Sequence, residues 1–324
     1  MNDRIEAAGL PANVQAFTTL RYGAGSSVAP FDTFNLGNFR DAQGDDPETV
    51  ARNRAELVER FGLPSWPHWL RQVHGTGVVG FDGTALPPPQ PSPASGGGRK
   101  AALPPPPLAG GEEGLLARHG RAGHPNARRA APGRTGRGGG VSGGTAPSVA
   151  ANQPMAPDEP EADAATTSTP GVVLAILTAD CLPVVFAAKD GSEIAAAHAG
   201  WPGLSAGMLE TALAAMRTPA ADVVAWIGPC AGPARYEVGR NVFDAFVVPD
   251  AGAASAFVPT REGHWLADLP ALARRRLAAA GMSLADIRGG ELCTISDPAR
   301  FFSHRRDGRS GRIATIAWLE PAAR

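Results

Sequence analysis

The sequence predicts an α+β fold: mixed β-sheets flanked by helices, in a single domain broken by one long disordered insert. Three observations predict it. Short apolar, β-branched runs at 172–177, 184–188, 194–197, 223–227 and 312–318 read as strands. Capped amphipathic stretches lie among them without a regular βαβ alternation, which argues for mixed sheets. Finally, residues 85–170 hold 16 Pro and 15 Gly with no aromatic residue and no Ile, too little apolar surface to offset the entropy of ordering the segment.

In chain order, Asp46-Pro47 opens a helix with an acidic cap and a proline in its first turn. Val50, Leu57, Val58 and Phe61 share its apolar face, and Gly62 closes it. Residues 69–73 and 78–81 read as short strands around a turn at His74. The 85–170 block then separates 1–84 from 171–324, which we take as two parts of one domain. The block reads as a solvated loop insertion, with an arm contacting RNA or a partner as the alternative; its length costs little, since each doubling adds only about 0.6 kcal/mol of closure entropy. Beyond it come three consecutive strands, then a helix over 204–216 with Leu209, Leu213 and Met216 on one stripe. A strand at 223–227 runs into Gly228-Pro229. Asp268 caps a further helix carrying Leu269, Ala273 and Leu277, with Gly281 as its stop, and 312–318 is the last strand.

Composition narrows the function. The chain has 324 residues with 30 basic and 31 acidic side chains, so its net charge of −1 gives no general attraction to nucleic acid or to an anionic membrane. Three widely spaced cysteines do not make a disulfide framework and point to a reducing compartment. The first residues lack the apolar stretch of a secretory signal, and no run is long enough to span a bilayer. The expectation is a soluble cytoplasmic protein.

Chemistry concentrates where strands end. Cys181 follows the strand at 172–177 in TADC, His198 ends the strand at 194–197, and His74 sits in the Gly-flanked turn RQVHG. Strand ends hold a side chain rigidly while exposing it to a cleft. One thiolate and two imidazoles make a three-ligand set for Zn²⁺ with a fourth position open. Each residue alone also reads as structural: a small buried thiol, a satisfied core histidine, a polar turn. The run FFSHRRDG offers Ser303, Arg305 and Arg306 as an anion site or as a solvated turn. Glu237, after the stiff GPCAGP double turn, offers a cleft carboxylate.

Taken together, LRQVHGTGV, LTADCLPVVF, AAAHAGWPGL, IGPCAGPARYEVG and FFSHRRDGRSGRIATIAWL occur in the order found in the YfiH family. These are the laccase-domain proteins, formerly called multicopper polyphenol oxidases and now regarded as purine nucleoside phosphorylases. FNLGNFRDAQGDDPETVARNRAEL resembles the family's N-terminal segment, so the likeness covers 12–84 and 171–320. The resemblance implies that His74, Cys181 and His198 ligate zinc. It implies phosphorolysis of adenosine, inosine and methylthioadenosine, together with deamination of adenosine. It also implies a catalytic domain of mixed sheets and helices without a Rossmann unit.

Zinc held by such a set lowers the pKa of a water in its open position toward about 7, which suits attack on C6 of adenosine. In phosphorolysis, phosphate approaches C1′ as the purine leaves, and a carboxylate offsets the developing positive charge; Asp180 is the first choice and Glu237 the second. Arg71, Gln72, Ser303, Arg305 and Arg306 are the expected substrate and phosphate contacts. The family has Arg or Lys where this chain has Pro202, and proline removes both the charge and a backbone donor. Weakened phosphorolysis is the expected consequence, with Arg71, Arg305 and Arg306 left to hold the anion. Three other readings share these residues: a metal-free hydrolase with Cys181 as nucleophile and His198 as base, a copper-dependent phenol oxidase, and a non-catalytic interaction protein.

Overall fold

Strands β6 (Leu182–Ala188) and β7 (Ile194–Ala199) are apolar along most of their length because both faces of their sheet are covered. Leu182, Val184 and Phe186 enter one core, while Val185 and Ala187 enter another. In this computed structural model, which describes residues 3–40, 42–83 and 159–320, the two strands centre a six-stranded sheet. Its order is β12 (Ile287–Gly289), β8 (Val223–Ile227), β6, β7, β4 (Ala164–Thr167), β3 (Val78–Gly80). A second sheet, ordered β1 (Arg4–Glu6), β2 (Val14–Thr19), β13 (Ile313–Leu319), β5 (Val173–Thr178), covers one face. Leu174, Ile176 and Ala317 meet Val185, Ile194 and Ala196 between the two sheets.

Helices close the outer faces. α2 (Trp201–Ala206), α3 (Met208–Ala215) and α5 (Leu269–Ala279) pack Leu204, Leu209, Leu213, Leu272 and Leu277 on the six-stranded sheet. α1 (Pro47–Phe61) places Leu57 against Phe17, Ala175 and Ile316 on the far side of the second sheet. A small sheet of β10 (Phe257–Arg261), β11 (His264–Ala267) and β9 (Glu237–Gly239) joins α4 (Arg240–Val247) at the border of the first core. A last short helix, α6 (His304–Asp307), precedes β13. This is the mixed α+β arrangement the sequence predicts, and the described residues fall within one compact unit; the second unit, Ser92–Ala150, lies outside them.

The caps at α1 form as expected: the Asp46 carboxylate accepts from the Thr49 N–H at 2.9 Å, and Gly62 turns left-handed at φ 60°. Other expectations need correction. The helix read over 204–216 is two helices, because Gly207 at φ 100° ends α2. Residues 69–73 form no strand; Arg71 alone makes an isolated bridge, to Glu161. The largest change concerns the insert. Residues 84–158 lie outside the described residues, but 159–170 fold: β4 sits between β3 and β7, and Ala162, Ala164 and Ala165 are buried. A strand of small residues has no composition signal when it follows a Pro/Gly block, so a boundary drawn on composition ran past it.

Candidate metal centre and its two cavities

Strand polarity brings the expected ligands together. β4 is antiparallel to β7, β7 to β6, and β3 is parallel to β4. The starts of β3, β4 and β6 therefore share one end of the sheet with the close of β7. His74 precedes β3, Cys181 immediately precedes β6, and His198 is the penultimate residue of β7. Their ligating atoms all lie within 4.8 Å of one another, and Cys181 Sγ is 3.6 Å from His74 Nε2. Tetrahedral zinc with ordinary bond lengths separates a sulfur and a nitrogen ligand by roughly 3.5 Å, so the donor set fits such an ion in type and spacing. Among the described residues, this is the one cluster of three or more metal-binding side chains.

Asp163, at the start of β4, organises the cluster. One carboxylate oxygen takes His198 Nδ1 at 2.8 Å and the His74 N–H at 3.0 Å; the other takes the Gly75 N–H at 2.6 Å and the Val73 N–H at 3.2 Å. With Nδ1–H donated to Asp163, His198 turns Nε2 toward the cluster. The same carboxylate holds the turn in which His74 adopts φ 61°, an uncommon conformation for a residue with a side chain. Burial pushes the Asp163 carboxyl upward, but the hydrogen bonds from His198 and from the Gly75 and His74 amides bring it below the usual range. Sequence reasoning missed Asp163 because it lay inside the segment taken as disordered; EADAATT, an acid directly before a run of small and β-branched residues, was the available signal.

Electrostatics favour a thiolate. Burial raises the Cys181 thiol, yet the charge of His198 and hydrogen bonds from His198 and His74 outweigh it and lower the pKa to about 6. His198 shows the reverse balance: burial lowers it, while the Cys181 sulfur and the Asp163 carboxylate lift it to about 9. Thiolate is the form that binds a metal. Two glycines let the pieces approach. A Cβ on Gly200 would lie 2.6 Å from the His74 ring and 3.0 Å from Cys181 Sγ, and one on Gly203 would meet the Gly75 carbonyl at 2.9 Å. These contacts account for both glycines of HAGWPG.

The cluster lies between two cavities. The larger, about 440 Å³, is lined by Arg71, Gln72 and Thr178 together with all three cluster residues. The smaller, about 260 Å³, is lined by Trp201, Pro202, Tyr236 and Leu269 with His74, Asp180 and Cys181. Pro202 occupies the first turn of α2, where its missing N–H costs no helical hydrogen bond.

Several expected site residues are committed elsewhere. The Asp180 carboxylate accepts from Thr294 Oγ1 at 2.6 Å, Ser303 Oγ at 3.0 Å and the Arg305 N–H at 2.6 Å, so it tethers α6 to the turn that carries Cys181. Glu237 is half-exposed on β9, borders neither cavity, and binds Thr260 and Arg261. Ser303 caps α6, and Arg306 clamps the carbonyls of Thr294, Ile295 and Phe301. Arg305 lies over the Tyr236 ring at 4.7 Å and donates to the Glu237 carbonyl. Gln72 pairs with the backbone N–H and carbonyl of Leu177, each at 2.8 Å. Arg71 faces the larger cavity and is held by Glu161.

A mixed α+β fold that gathers one thiolate and two imidazoles at its strand ends presents a donor set suited to a metal ion. The chain belongs to the family described as multi-copper polyphenol oxidoreductase laccase, whose sequence pattern matches residues 15–94 and 141–320. It is 48% identical over 309 residues to a Xylella fastidiosa protein named purine nucleoside phosphorylase, covering 95% of this chain and 94% of that one. Against the Escherichia coli protein named purine nucleoside phosphorylase YfiH it is 35% identical, with 95% of each chain covered. The crystal structure of a Neisseria meningitidis protein superposes with a TM-score of 0.71 at 33% identity, over 99% of this chain and 100% of that one.

Proposed function

We propose that this protein is a zinc-dependent purine nucleoside phosphorylase acting on adenosine, inosine and methylthioadenosine, with adenosine deamination as a second reaction. The observation that carries the reading is the Asp163-oriented His74–Cys181–His198 cluster set between two cavities. Relatives at 48% and 35% identity that are named purine nucleoside phosphorylases support the reaction class. Zinc held by these three side chains supplies Lewis acidity, which polarises a substrate atom and provides a nucleophile at neutral pH.

The chain's own residues do the rest. Trp201, Pro202, Tyr236 and Leu269 give the smaller cavity the flat apolar walls that suit a purine ring. In phosphorolysis a phosphate oxygen forms a bond to C1′ while the C1′–N9 bond breaks; its electron pair goes to the purine, which takes up a proton. Asp163 keeps the His198 imidazole fixed throughout, and Asp180, held by three donors, keeps the Cys181 turn rigid. Asp180 is held by three donors and Glu237 borders neither cavity, so the negative charge facing the developing ribose cation is that of the attacking phosphate itself. Multicopper oxidation would need more than one cluster of ligands, and the described residues hold this one alone. The three thiols are free and no described helix is long and apolar enough to cross a membrane, which supports the cytoplasm as its place.

A metal-free cysteine hydrolase is the second reading, favoured by the aligned Cys181, His198 and Asp163. His74 on the sulfur is one imidazole more than that mechanism uses. Incubation with inosine and adenosine, with and without phosphate, followed by chromatography and elemental analysis, tests both. The expected result is phosphate-dependent release of base and pentose 1-phosphate by a protein carrying zinc. Base release without zinc, or none with zinc bound, overturns the proposal.

A further inference from the structure

Cys230 and Cys293 are the two thiols outside the metal cluster. Cys230 lies beyond β8, fully buried in the first core, and Cys293 lies beyond β12, half-buried. A parallel bridge joins them: the Cys230 N–H donates to the Leu292 carbonyl at 3.1 Å, and the Thr294 N–H to the Cys230 carbonyl at 2.9 Å. Bridged neighbours run about 4.8 Å apart, and a disulfide spans Cα atoms about 4.4–6.8 Å apart. The backbone therefore already holds two free thiols at disulfide separation. Gly232 leaves the Cys293 side chain its space, since a Cβ there would stand 2.8 Å from Cys293 Cβ and 3.0 Å from its sulfur. The Gly232 N–H and Ser296 Oγ both donate to Cys293 Sγ at 3.3 Å. Donors aimed at a sulfur favour negative charge on it, and thiolate is the form that attacks a peroxide. Cys230 differs: burial, and then the charge of Cys293, push its thiol up, so it keeps its proton.

We propose that Cys230 and Cys293 form an oxidation site that reacts with hydrogen peroxide, closes to a reversible disulfide and thereby loosens the turn that presents Cys181. The Cys293 sulfur bonds to a peroxide oxygen as the O–O bond breaks, and the departing hydroxide takes up the thiol proton to leave as water. The Cys230 sulfur then bonds to the Cys293 sulfur, the S–O bond breaks, and this second hydroxide leaves with the Cys230 proton. Two thiols lose two electrons, and one peroxide becomes two waters. The residues next in sequence carry the change to the metal centre. The Ala231 N–H donates to the Asp180 carbonyl at 2.8 Å, and Thr294 Oγ1 donates to the Asp180 carboxylate at 2.6 Å. Asp180 directly precedes Cys181 and holds φ 90°, a conformation that persists only where its surroundings enforce it. Drawing the two cysteines together displaces both of those anchors. Cys293 remains accessible enough for a reducing thiol to reopen the bond.

The test treats the full-length protein with hydrogen peroxide, blocks the remaining thiols with N-ethylmaleimide, and maps peptides by mass spectrometry with and without dithiothreitol. A peptide pair joining Cys230 to Cys293, lighter by two hydrogens and separated by dithiothreitol, is expected in the wild type. It should be absent from Cys293→Ser, whose hydroxyl can keep the Gly232 and Ser296 contacts. Competition with a chromogenic chelator is the second readout. Oxidised wild type should give up zinc several-fold more readily, dithiothreitol should restore its hold, and treated Cys293→Ser should match the untreated protein. Cys293 recovered as sulfinic acid with Cys230 alkylated overturns the pairing, as does a disulfide that includes Cys181. The cross-link with unchanged zinc affinity overturns the coupling to the Cys181 turn. Equal zinc loss in Cys293→Ser places the damage at the metal cluster itself and overturns it too. None of these outcomes depends on base release, so the phosphorylase reading stands or falls separately.

Discussion

Replacing Asp163 with Asn keeps the shape of the side chain and removes its capacity to accept on both sides at once. In the native arrangement each carboxylate oxygen takes two donors, one pair including His198 Nδ1 and the other the amides of Gly75 and Val73. An amide offers one oxygen. With its NH₂ toward His198, the imidazole must accept at Nδ1, which moves the proton to Nε2 and blocks the ligating nitrogen. With its NH₂ toward Gly75 and Val73, donors face donors, and the left-handed turn that presents His74 is released at about 1–3 kcal/mol per unsatisfied buried group. Either way the cluster loses a ligand's orientation, for which partners of this type are worth ten- to a hundredfold in metal affinity, about 1.4–2.7 kcal/mol. Zinc affinity measured by competition with a chromogenic chelator, alongside urea unfolding, reads both effects. The expected Asp163→Asn protein binds zinc ten- to a hundredfold more weakly and is less stable by about 1–3 kcal/mol. Zinc affinity within twofold of the wild type would refute the orienting role.

Four further outcomes are expected. Purified protein should carry about one zinc per chain, by the logic of three protein ligands and an open position, and Cys181→Ala should lose most of it while staying folded, as elemental analysis and circular dichroism would show. Gly200→Ala should weaken zinc binding with little change in overall fold, since its Cβ would fall 2.6 Å from His74; a crystal structure with an unmoved His74 would contradict this. Asp46→Ala should cost about 1 kcal/mol in urea unfolding through loss of the α1 cap. Exchange of residues 84–158 for a Gly/Ser linker of about 15 residues should preserve cooperative unfolding and activity, whereas extending the deletion to 170 should abolish both by removing β4 and Asp163; equal behaviour of the two deletions would refute that boundary.

Legibility of the sequence followed the kind of signal each element carries. The doubly covered strands β5, β6, β7, β8 and β13 were readable because burial on both faces demands uninterrupted apolar runs. The start of α1 was readable because Asp46-Pro47 is a local cap. β2, with Gln15 and two threonines, and β9 to β11, three short strands at the border, carry no such run and were not seen. At the site, the gathering of His74, Cys181 and His198 was legible from residue type at strand ends. What Asp180, Ser303, Arg306 and Glu237 do was not, because it depends on contacts the fold supplies: Thr294 and Ser303 reach Asp180 across more than a hundred residues, Arg306 turns back on the carbonyls of Thr294 and Phe301, and Arg261 reaches Glu237 from another strand of the small sheet.

The parallel pairing of β3 with β4 has a consequence for how the chain divides. A connection between parallel strands must travel back along the sheet, so the close of β3 and the start of β4 lie at its opposite ends. On either side of that connection the chain contributes alternately to the same layers: β1 and β2 before it, β5 and β13 after it, share one sheet. His74 comes from the first piece, and Asp163, Cys181 and His198 from the second. Divided there, the chain would give two pieces, one ending near 83 and one beginning near 159, neither of which holds all three of His74, Cys181 and His198. Co-expressed, they would have to find each other before either could bind zinc, which makes metal capture a direct reporter of their assembly.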